Sequence, residues 1–132
     1  MRHLLAMTLI LLLGACNLQI GELPTPTPAV PVVEFQAPLN GTNVPEGQEI
    51  DIVLLARDHG TGVARIELLI DGEFYKETAP EISAAVPVFT AATNWLAQGP
   101  GLHLLTAIAY RQDGTASTPA DITVLVTVNS EE

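Results

Sequence analysis

Between Val32 and Val128 the chain runs in short stretches where apolar and polar residues alternate or a few apolar residues stand together, and each ends in Gly, Pro, Asn or Asp. No stretch keeps the three-and-four spacing of a helix. Val32 to Phe35 reads as an edge strand, followed by turns at Asn40-Gly41-Thr42 and Pro45-Glu46-Gly47. Glu49 to Asp58 is the second strand, with Ile50, Ile52, Leu54 and Ala56 on one face and Glu49, Asp51 and Arg57 on the other. After Gly60-Thr61-Gly62, Val63 to Ile70 sets Ala64, Ile66, Leu68 and Ile70 against Arg65 and Glu67.

Asp71-Gly72 then supplies the positive-φ pair of a type I′ hairpin, which returns the chain through Glu73 to Glu77. Beyond the Ala- and Pro-rich loop Thr78 to Pro87 come strands at Val88 to Trp95, His103 to Arg111 and Asp121 to Val128. These are about seven short strands without an intervening helix, the signature of an all-β antiparallel sandwich.

The front of the chain reads differently. Arg2, the apolar stretch from Leu4 to Ala15 and a small residue before Cys16 form a secretory signal peptide, too short to span a bilayer, which needs about 20 apolar residues. Leu13-Gly14-Ala15-Cys16 resembles the lipobox of bacterial lipoproteins, which implies a lipidated Cys16 at the mature amino terminus. Ordinary cleavage is the competing reading, and the large Leu13 three residues before the cut fits it poorly. Two or more acyl chains hold a protein on a membrane, because each buried methylene contributes about 0.8 kcal/mol.

From Asn17 to about Pro31 the sequence is polar and then, from Leu23, proline-alternating, which excludes a helix or a central strand. As a polyproline II stalk at about 3.1 Å per residue it reaches roughly 45 Å; as a disordered spacer it has no fixed length. The domain organisation is therefore a signal peptide (1–15), a lipidated Pro/Thr-rich linker (16–31), one sandwich (32–128) and an acidic tail (129–132).

With its one cysteine consumed by lipid the chain forms no internal disulfide, so apolar burial alone must hold the domain. Five basic residues stand against 15 acidic ones, a balance that repels phosphate and excludes nucleic acid as a partner.

Gly101, His103, Leu105, Ala107 and Ala109, followed by Gly114, resemble the penultimate strand of bacterial immunoglobulin-like and fibronectin type III-like domains. The run Gly62 to Gly72 resembles their Gly-Val-x-x-Val-Glu-x-x-Val-Asp-Gly hairpin. The resemblance implies an immunoglobulin-like sandwich, in which His103 takes the place of a corner tyrosine and is a satisfied structural group. Arg111 stands where the family often has Asp or Asn, and that departure argues against a calcium loop.

Catalytic candidates are sparse. His59 reads as a solvated loop residue, no Gly-x-Ser-x-Gly elbow is present, and Asp58, Asp71 and Asp113 lack the spacing of a calcium loop. No enzyme activity, cofactor or metal is expected. Trp95, the only tryptophan, reads as a core-capping aromatic, with a sugar-stacking platform as the alternative. The Asn40-Gly41-Thr42 sequon reads as accidental.

If the family motif points Leu105, Ala107 and Ala109 inward, then Leu104, Ile108 and Tyr110 point outward, joined by Leu69 and Leu125. These five are the candidate partner-binding residues, because contiguous exposed apolar surface of several hundred Å² usually marks a contact site. The opposite strand phase would make them core. The whole reads as a membrane-anchored extracytoplasmic lipoprotein that displays a non-catalytic module for another envelope protein. A carbohydrate-binding module of the envelope is the alternative.

Overall fold

The computed structural model describes residues 29–129 together with Gly21, Leu23, Pro24 and Pro26. Cys16, the signal peptide and the end of the acidic tail lie outside the described residues. Among the described residues eight strands follow one another: β1 (Val32–Ala37), β2 (Thr42–Pro45), β3 (Glu49–Arg57), β4 (Arg65–Ile70), β5 (Glu73–Thr78), β6 (Val88–Leu96), β7 (Gly101–Tyr110) and β8 (Ala120–Thr127). They form two sheets, β1-β3-β6 and β2-β8-β7-β4-β5, so the expected sandwich is present.

One strand was not foreseen. The turns expected at residues 40–42 and 45–47 are present but shorter, at 40–41 and 46–47, and the four residues Thr42–Pro45 run extended and pair in parallel with β8, Thr42 opposite Val124 and Pro45 opposite Thr127. Pro45 lacks an N–H, which suits it to the outer edge this strand forms. Asn40 Oδ1 accepts from the Thr123 amide at 2.8 Å and locks the preceding turn onto β8.

Alternation assigns the core. On β3, Ile52, Leu54 and Ala56 are buried; on β4, Ile66 and Leu68; on β7, Leu105, Ala107 and Ala109; on β8, Ile122, Val124 and Val126. Ala56, Ala91, Ala97, Ala107 and Ala109 are small enough to let the sheets close around the branched side chains. Trp95 completes this cluster at one end.

The sandwich has two poles. At the first, β1 begins and β7 ends, and the linker joins the domain there: Pro31 is fully buried and Arg111 Nη2 donates to the Ala29 carbonyl at 2.7 Å. The same guanidinium grips Asp58, buried beside it, through Nε to Oδ2 at 2.8 Å and Nη2 to Oδ1 at 2.7 Å. Arg111 holds the Asp58 carboxyl down at about 2, against the desolvation that opposes ionisation, and the Gly62 amide adds a third donor at 2.9 Å. Arg111, a departure from the family pattern, is therefore the counter-ion that makes a buried Asp58 tolerable.

At the opposite pole Asp71 and Gly72 form the β4–β5 turn, with φ of 53° and 81° as a type I′ hairpin requires. Gly62 also has positive φ (93°), and there a Cβ would lie 3.1 Å from the Val86 backbone, whereas Gly72 has open space around it. Gly72→Val is therefore expected to lower stability by about 1–3 kcal/mol through backbone strain alone. Gly62→Ala is expected to lower it at least as much despite the smaller side chain, because strain and a backbone clash act together. Urea unfolding of the two variants beside the wild type checks both the size and the order.

Candidate functional site

The phase of β7 decides what the five-stranded sheet shows to the outside. With Leu105, Ala107 and Ala109 fully buried, Leu104, Ile108 and Tyr110 lie on the outward face, and Leu69 and Leu125 share it. Register relates them. Leu69 stands opposite Thr106 and is thus a diagonal neighbour of both Leu104 and Ile108, while Leu104, opposite Thr123, is diagonal to Leu125.

The five residues thus trace an oblique band across β8, β7 and β4. They are not equally open: Leu104 is 41% exposed, while Leu69, Leu125, Ile108 and Tyr110 are half-buried by their neighbours. Leu102, opposite Leu125 and 72% exposed, is the most accessible member of the band, although a strand read from His103 leaves it out. Its parity with Leu104 would have found it, had the strand been started at Gly101 instead of His103.

Polar pairs frame the band. Thr106 donates to Asp121 at 2.6 Å across β7 and β8. At the linker end Arg65 covers the Tyr110 ring at 4.1 Å and meets Glu67 and Glu77 at 3.2 and 3.4 Å. Burial, reinforced by the nearby Glu67 carboxylate, raises the Tyr110 hydroxyl pKa. The band is consequently ionic around Tyr110 and most apolar around Leu102, Leu104 and Leu125, close to the pole away from the linker.

That distal pole also holds His103. Its Nδ1 lies 2.7 Å from Asp71 Oδ2 and its Nε2 lies 2.5 Å from the Gly99 carbonyl, so it is the satisfied structural histidine expected. Asp71 Oδ1 accepts from the Leu104 amide at 2.9 Å, which ties the β4–β5 turn to β7. The Gly99 carbonyl, with Asp71 in support, raises the His103 pKa above 6.5 despite partial burial. Burial raises the Asp71 pKa, but the Leu104 N–H and His103 outweigh it and bring the carboxyl below 3.8.

Trp95 meets His103 edge-on at 5.3 Å and is only 7% exposed, so it caps the core and offers no free stacking platform. His59 is exposed in its loop. Among the described residues no three of His, Cys, Asp and Glu come together as metal ligands.

A family model described as a bacterial Ig domain matches residues 31–124. The chain belongs to the bacterial Ig domain family. Among solved structures this Ig domain is similar to the fibronectin(III)-like modules of Clostridium thermocellum CbhA, at 27% identity and a TM-score of 0.59, over 74% of this chain and 98% of that one. It is also similar to a CARDB domain from Pyrococcus furiosus, at 14% identity and a TM-score of 0.55 over 75% of this chain and 94% of that one. The SrpA adhesin of Streptococcus sanguinis shares the fold at 13% identity and a TM-score of 0.56, over 77% of this chain and 59% of that one. No curated protein sequence matches the chain.

The His103 arrangement has a pH signature. A folded-state pKa raised above 6.5 gives stability that is complete below about pH 6 and is lost as pH rises through the folded pKa. The urea midpoint is therefore expected to fall as pH rises above about 6.5 and through the folded-state pKa in the wild type, and this fall is expected to shrink in His103→Gln.

Proposed function

We infer that this chain is an exported lipoprotein, tethered to the membrane through Cys16, whose Ig domain acts as a non-catalytic contact module for another envelope protein. The observation that carries this reading is the oblique apolar band on the outward face of the five-stranded sheet. Leu102 and Leu104 are large, exposed and adjacent on a chain with a net charge of −10. Water-facing β positions are ordinarily polar in a sheet with one solvated face, so retained leucines favour a protein surface that covers them.

The absence of catalysis rests on how the polar groups are used. Asp58 is neutralised by Arg111, and both nitrogens of His103 are engaged by Asp71 and Gly99. A group held in this way positions backbone; it is not free to move a proton to or from a substrate. Domains of this family and the likeness to a protein called an adhesin favour display outside the cytoplasm.

Two measurements test the two halves of the reading. Mass spectrometry of protein made in its host is expected to find a lipid-sized increment on the peptide that begins at Cys16, and Cys16→Ala to leave the precursor uncut; a normally cleaved, soluble Cys16→Ala product would remove the anchor.

For the contact surface, the double variant Leu102→Asp, Leu104→Asp is expected to keep its melting temperature, since a charge on a solvated face is tolerated. In-envelope cross-linking should then lose the adducts that the wild type forms. A folded double variant with the same adducts would exclude the outward face.

A further inference from the structure

The distal pole carries a second feature, beside the outward sheet face. Strands β5 and β6 are outer strands of opposite sheets, and between them lies a cleft of about 230 Å³. Its walls bring together Phe74, Tyr75 and Trp95, three of the six aromatic residues in the chain. Trp95 is the nearly buried floor, while Phe74 and Tyr75 are 63% and 41% exposed. The Tyr75 hydroxyl donates to the Asn94 carbonyl of β6 at 2.9 Å, which fixes its ring across the opening. Glu73 and Gln98, both exposed, stand at the rim.

The chemistry of the lining restricts the ligand. Among the described residues no Lys or Arg lines the cleft, so a phosphate or sulfate finds no counter-charge there. A cation is no better served, because both ring nitrogens of His103 face acceptors and only the imidazolium donates to both. Its charge offsets Asp71 and leaves Glu73 as the one uncompensated carboxylate of the lining. What remains are apolar ring faces beside an acceptor-only carboxylate and an amide that both donates and accepts. A molecule with an apolar face and a rim of hydroxyl groups answers that set. At about 30 Å³ per water the cleft has the room of roughly eight waters, enough for one sugar ring.

We propose that the cleft between β5 and β6 binds an uncharged saccharide, with one ring packed on Tyr75 over the Trp95 floor and its hydroxyl groups on Gln98 and Glu73, while Phe74, opposite Leu69, flanks the opening from the outward face. Trp95 does not stack on the sugar here; its burial makes it a reporter. Because it is the only tryptophan, the full chain carries its own probe.

The test titrates the full chain with cellohexaose, chitohexaose and mannohexaose and follows Trp95 emission. At least one of them is expected to shift it saturably. Tyr75→Ala and Gln98→Ala are each expected to weaken that binding about tenfold. Gln98→Ala is the deciding variant, since it removes an exposed amide without touching the core, and an unchanged melting temperature certifies its fold. The Leu102→Asp, Leu104→Asp variant should bind the saccharide as the wild type does, which keeps this site distinct from the sheet face.

No saturable change with any of the three, equal affinity in Gln98→Ala, or tighter binding of a tetralysine peptide than of every oligosaccharide would overturn the proposal.

Discussion

Everything in this domain depends on the side to which β7 turns its alternate residues. Leu105, Ala107 and Ala109 face the other sheet with no exposed surface, and β7 pairs with both β4 and β8. Since strand side chains alternate strictly, one choice propagates through hydrogen-bonded register to every neighbour. It places Ile66 and Leu68 inside and Leu69 outside, Val124 inside and Leu125 outside. The alanines matter as much as the leucine. Larger groups at these positions would force the sheets apart and forfeit close packing around Ile52, Leu54 and Val63.

The two poles solve the problem of ending a sandwich in different ways. At the linker pole a carboxylate is taken out of water and matched by a bidentate guanidinium and a backbone amide, so the charge is fully answered where screening by solvent is weak. At the distal pole Asp71 remains half open to water and shares its oxygens between a histidine and an amide. The first arrangement is indifferent to physiological pH. The second depends on His103, whose pKa the Gly99 carbonyl and Asp71 raise, so the distal turns are the more pH-dependent end of the molecule.

Strand alternation made most of the fold legible. Ile52, Leu54 and Ala56 on β3 and Ile66 and Leu68 on β4 were readable as core because each strand has one buried face, and the Asp71-Gly72 pair was readable because type I′ geometry demands positive φ. Strand β2 was not, since four residues that include Asn43 and Pro45 carry no alternation of their own and are extended only because β8 pairs with them. The outward band was legible by parity except at Leu102, because Gly101 and Leu102 carry no polar partner that marks them as the start of β7. The Asp58–Arg111 pair was opaque for a further reason: 53 residues separate the partners, and no local pattern couples them. The cleft was opaque in the same way, since the hairpin brings Tyr75 beside Asn94 and Trp95 only after both sheets are assembled.

The linker reaches the domain at the pole where β1 begins, and its last residues are held by Pro31 and by the Arg111 contact to Ala29. Strand β1 then runs lengthwise along β3, from Val32 opposite Arg57 toward the distal pole. Tension between the residues before Ala29 and anything held at the distal end therefore acts along the strands. Under that geometry the β1–β3 hydrogen bonds are loaded together in shear rather than peeled one after another, and the guanidinium grip on Ala29 carries the first share.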